Sequence, residues 1–155
     1  MNRYGLRMKP VLAVAAVACL LLSGCGSDDS AKDGGDRGVT ITKAQFIIQG
    51  DAICTSGNDR IAAAEKKMPG EPTKDQVVAF VTDTLVPQVA AQAKALRSLP
   101  EPDEGADDVE AMLDSLDAAV KALRADPEKA LTGDAGFDEA NQLAKDYGFK
   151  VCGEE

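Results

Sequence analysis

Histidine and tryptophan are absent from this chain of 155 residues, and aromatic residues make up only 4% of it. Without histidine the chain lacks the usual general base near neutral pH and the commonest metal ligand. No Ser–His or Cys–His nucleophile pair exists either. Cysteine is scarce, at four residues, and basic residues are outnumbered 17 to 26 by acidic ones, for a formal charge of −9. A surface of that sign disfavours nucleic acid and anionic lipid as partners. Long apolar runs are missing too. The longest, Val11 to Leu22, spans about 12 residues, too short for a helix to cross a hydrocarbon core of about 30 Å.

That short run is informative for what surrounds it. Arg3, Arg7 and Lys9 precede it without any acidic residue, as in the basic n-region and apolar h-region of a secretory signal. Leu22-Ser23-Gly24-Cys25 closes it. This resembles the lipobox of bacterial lipoproteins, with an aliphatic residue, two small ones, then the modified cysteine. The resemblance implies that residues 1–24 are a cleaved signal peptide and that the Cys25 thiol carries a diacylglyceryl group, with its freed amine often acylated. Cys19 competes for the role, but Ala16 stands where a larger aliphatic is expected and apolar residues continue beyond it. A plain secretory signal followed by an incidental cysteine is the alternative. Two or more acyl chains hold a protein stably at ~0.8 kcal/mol per buried CH₂. The expectation is a lipid anchor on the extracytoplasmic side of the cell membrane, with no spanning segment.

Removing residues 1–24 takes away three basic residues and no acidic ones, so the remaining charge is −12. Residues 25–38 then form a Gly/Ser/Asp/Lys stretch with no large apolar side chain, read as a flexible tether with a coil dimension of about 20 Å. Asp28, Asp29, Asp33 and Asp36 lie in it, but without the spacing of an EF-hand loop they read as solvated spacer. With Cys19 and Cys25 accounted for, Cys54 and Cys152 are left as a pair. In an oxidising compartment a disulfide is the default; two free thiols are the alternative, and a redox pair lacks the C-x-x-C spacing.

Residues 39–155 read as a single all-α domain. Thr42 with Gln45 and Thr73 with Gln76 both fit capping boxes. Phe46, Gly50, Ile53, Gly57, Ile61, Ala64 and Met68 recur at helical steps, with Cys54 on the edge of that face, and Pro69-Gly70 ends the element. Val77, Val81, Leu85, Val89, Gln92, Leu96 and Leu99 mark a second helix, in which Pro87 predicts a kink or a split. Val109, Met112, Leu113, Leu116, Val120 and Leu123 mark a third, behind the acidic approach Asp103 to Asp108. Asp126-Pro127 opens a short turn through Leu131. Phe137, Ala140, Leu143, Ala144 and Tyr147 mark a fourth helix, with Gly148 as its C′ residue and Phe149 as the following hydrophobic contact. Four amphipathic helices with short links predict an up-down-up-down bundle. In that topology a tail crossing back over the first helix would bring Cys152 to Cys54.

Phe46 followed by Asp51-Ala52-Ile53-Cys54, and then Tyr147-Gly148-Phe149 and Val151-Cys152-Gly153 near the end, resembles the small exported lipoproteins of actinobacteria. The resemblance implies the helical fold and the disulfide, and carries over no catalytic residues.

The function expected is that of a membrane-anchored, non-catalytic binding or interaction module facing an envelope protein. The alternative is a carrier or sensor of a small apolar ligand between the helices, with Pro87, Gly50, Gly57 and Met112 lining a gap. Met at helical spacing is more often plain core. Ligand-binding residues are otherwise unspecified. No enzyme and no cofactor is expected. Glu65, Glu110, Asp114, Asp117 and Glu128 fall at ordinary surface positions, not as paired carboxylates, and no compact metal-ligand cluster is evident.

Overall fold

The computed structural model describes residues 39–133 and 135–154. The signal segment 1–24 and the whole tether 25–38, with Cys25, lie outside the described residues. The fold is all-α. Among the described residues no strand forms, and the one pairing of extended backbone is an isolated parallel bridge between Ile41 and Pro102.

Helix α1 runs Lys43–Glu65 and α2 Lys74–Phe80. Each begins with the predicted capping box: Thr42 and Thr73 accept from the backbone of Gln45 and Gln76, and the glutamine side chains accept from the threonine N–H groups. Two orphan donors are satisfied at each start, which fixes where the helix begins. Helix α2 passes directly into a π-helical turn, Val81–Leu85, and that into α3, Val86–Arg97, with right-handed helical backbone at every junction. Pro87 therefore does not split the run. The wider turn lies just ahead of the proline, where its ring would otherwise press on the preceding turn. Helix α4 spans Ala106–Ala125, a 3₁₀ turn Pro127–Thr132, and α5 Asp138–Tyr147.

Among the described residues five α-helices are thus present where four were expected, because the π turn interrupts the second one. The same turn corrects the predicted face. The expected stripe steps from Val81 to Leu85 and Val89, but the buried residues are Val81, Val86, Ala93 and Leu96. A π turn adds one residue, so the inward direction passes from Val81 to Val86, and Leu85 and Val89 end half-buried. In α1 the prediction placed Cys54 on the edge; instead Cys54 is 3% exposed and Ile53 is half-buried.

Helix α1 packs on α3, α3 on α4, and α4 most extensively on α5. Helices α1 and α5 do not pack closely on one another. That unclosed seam is the feature that positions the site described next.

Candidate functional site

One end of the seam is tied shut by the C-terminal tail. Gly148 has φ 116°, a left-handed conformation that glycine adopts without a Cβ penalty. Its N–H donates to the Lys145 carbonyl at 3.1 Å and the Phe149 N–H to the Ala144 carbonyl at 3.0 Å, a Schellman ending that turns the tail back toward α1. Phe149 then meets Phe46 and Tyr147 in a trio of rings, with centroids 6.1, 6.1 and 5.4 Å apart. Gly50 makes room for it: a Cβ there would collide with the Phe149 ring. The Asp51 carboxylate accepts from the backbone of Lys150, Val151 and Cys152 at 3.1, 2.9 and 3.3 Å. Cys54 and Cys152 form a disulfide, with Cα atoms 5.1 Å apart and a sequence separation of 98.

Sequence reasoning found the cysteines, Gly148 and Phe149, but missed the role of Asp51. A carboxylate at a half-buried position one turn before Cys54 was the available signal. Phe46, Asp51, Cys54, Tyr147, Phe149 and Cys152 all belong to this clasp.

Tyr147 is 3% exposed, and its hydroxyl donates to the Glu104 carbonyl at 3.1 Å. The Lys43 ammonium lies 4.3 Å from its ring centroid, in cation–π range. Burial, and then the negative charges of Asp103, Asp108 and Glu104, push its phenol above the usual value of 10.0. The Lys43 N–H also donates to the Asp103 carboxylate at 2.8 Å, so the start of α1 is held to the link before α4.

Beyond the clasp the seam opens into a cavity of about 400 Å³. Cys54, Asn58 and Ile61 of α1 form one wall, and Val89, Gln92 and Leu96 of α3 the next. Met112 and Leu116 of α4 form the floor, and Phe137, Ala140, Asn141 and Ala144 stand opposite α1. Cys152 of the clasp closes one end, with Asp138 and Glu154 also in the lining. Facing this space explains why apolar Leu85, Val89, Leu116 and Phe137 are half-buried instead of packed away. Interiors normally contain few gaps larger than a water molecule, and pockets for small ligands run to about 300–1,000 Å³.

Of the residues expected to line a gap, Met112 does so. Gly50 is occupied by its contact with Phe149, and the Gln92 side chain packs across Gly57. Pro87 is exposed and outside the lining. A second, shallower hollow lies between α1 and α3 beside Gly57, Arg60 and Gln88.

Glu65, Glu110, Asp114, Asp117 and Glu128 are all exposed. Asp114 and Asp117 share Arg97 at 3.4 and 2.9 Å, and Glu128 pairs with Lys74 at 2.7 Å. Among the described residues no three His, Cys, Asp or Glu side chains gather as a metal site, and no helix is long and apolar enough to cross a membrane. Comparison with protein-family models, curated proteins and solved structures found no match.

Proposed function

We propose that this chain is a lipoprotein anchored through Cys25 on the extracytoplasmic side of the cell membrane, whose helical domain is a non-catalytic binding module holding a small, largely apolar ligand between its helices. The observation that carries this reading is the cavity of about 400 Å³ in the seam between α1 and α5. Close packing would have removed it at a gain in stability, and its size and mixed lining suit a small molecule. In this reading the helices run up-down-up-down, with α2 and α3 acting as one bent element and the α1–α5 side left as the entrance. Residues 25–38 are, in this reading, the link between the lipid anchor and the helical domain.

Native mass spectrometry of the chain purified from its own envelope tests the ligand. A retained small-molecule mass is expected, and a clean apo mass overturns the reading. A Cys25→Ser variant tests the anchor: acyl labelling is lost, and the protein either keeps its signal segment or is released. A Cys25→Ser protein of mature size that stays on the membrane overturns the anchor. An envelope protein as partner is the other reading. The described surface offers it Val39 ahead of α1, Ile48 on α1 and Leu131 in the 3₁₀ turn, exposed large apolar side chains on three separate segments of the chain.

A further inference from the structure

The charge around the cavity limits what it accepts. We infer that the ligand is a hydrophobic organic cation, an apolar body carrying an amine or quaternary ammonium group, and that fatty-acid-like anions are excluded; this rests on the cavity being the binding site proposed above. Among the described residues, the ionisable side chains that line the cavity are Asp138 and Glu154, both acidic and both exposed, with no lysine or arginine beside them in the lining. A carboxylate ligand would therefore meet two like charges and no counter-ion. The remaining polar groups, on Asn58, Gln92 and Asn141, are neutral amides.

Two further features act in the same direction. Phe137 contributes an aromatic ring to the lining beside Asp138, and ring faces attract ammonium groups. The chain as a whole carries −9, and a cleft with low-dielectric walls concentrates the field of its own sign, drawing cations in and holding anions out. The apolar body would lie against Leu85, Val89, Met112 and Leu116, with its charged end at the Asp138–Glu154 side.

The test uses three water-soluble probes that share one apolar body: 4-phenylbutylamine, 4-phenylbutanol and 4-phenylbutyrate. Each is titrated into the full chain while the Met112 methyl resonance is followed, because that side chain lies in the cavity lining. The amine is expected to bind roughly tenfold more tightly than the carboxylate at low salt, with the alcohol between them. The preference shrinks as salt is added and disappears in the Asp138→Asn, Glu154→Gln double variant, while binding of the alcohol is unchanged. Equal affinity for the three, or a preference for the carboxylate, overturns the cation inference and leaves the cavity as a binding site. No movement of the Met112 signal with any probe overturns the cavity reading, and the cation inference with it.

Discussion

The two apolar clusters of this domain are built on different terms. The first gathers Phe46, Cys54, Leu96, Met112, Tyr147 and Phe149, and is closed by a disulfide, a ring trio and a carboxylate that caps the returning tail. The second gathers Val81, Val86, Val120 and Leu123 around the π turn, with Val77, Phe80 and Phe137 beside them. It is held by aliphatic packing, and the link between its α2 and the 3₁₀ turn is an exposed ion pair, Lys74–Glu128. The disulfide and the carboxylate cap lie where the chain must cross an unclosed seam, while the ion pairs between helices that pack directly, such as Arg97 with Asp114 and Asp117, are exposed. Where consecutive helices already pack against each other, undirected burial suffices. The candidate site lies between these regions, with Cys54, Leu96 and Met112 from the first and Leu85, Val89 and Phe137 close to the second.

The largest test of that contrast is removal of the disulfide. Cys54→Ser with Cys152→Ser is expected to cost about 2–5 kcal/mol, the usual range for a bridge closing a long loop. Chemical denaturation measures the loss, and hydrogen exchange should place the excess opening on residues 148–152. Leu123→Ala is the matched test of the second cluster. Leu123 is 1% exposed, and truncation there should cost about 2–4 kcal/mol. Its exchange effect should fall on α2, α4 and the π turn; equal loss of protection in the tail would mean that the two regions open as one unit. Asp51→Ala is expected to cost about 1–3 kcal/mol, because three tail N–H groups lose a charged acceptor. Asp51→Asn should recover part of it.

Alkaline pH separates the regions without a mutation. The Tyr147 phenol is raised in the folded state, so the folded chain holds that proton more tightly than the unfolded one. The associated stability is fully present below pH 10 and is lost as pH climbs through the higher folded value. Clasp opening above pH 10 should therefore be blunted in Tyr147→Phe. The smallest effect is expected from Lys74→Ala: although Glu128 raises the lysine pKa, the pair is exposed, and no measurable change in melting temperature should follow.

Much of the local structure was legible because local rules write it. Both capping boxes and the left-handed Gly148 depend on residues three or four apart, and each stands as read, whereas α1 stops at Glu65, ahead of the expected Pro69-Gly70. The burial pattern of α4 was nearly complete, with Val109, Met112, Leu113, Val120 and Leu123 all inside. The π turn escaped, because a one-residue insertion into a helix leaves no composition signal, and its consequence was the misplaced face at Leu85 and Val89, while Leu96 of the same expected stripe is buried. The Met112 prediction succeeded for the cavity while Gly50, Gly57 and Pro87 did not. A glycine in a helix marks a close approach as readily as a gap, and the approaching Phe149 and Gln92 come from elsewhere in the chain.

By itself, then, the sequence determined the helical class, the capped helix starts, the sign of the charge and the pool of cysteines available to pair. These follow from nearest neighbours and composition. Only the tertiary structure decided that α1 and α5 stay apart, that the Asp51 carboxylate caps the tail beside the expected disulfide, and that two carboxylates edge the cavity left between them. Those outcomes depend on residues about a hundred positions apart meeting through packing, and no local preference encodes such meetings.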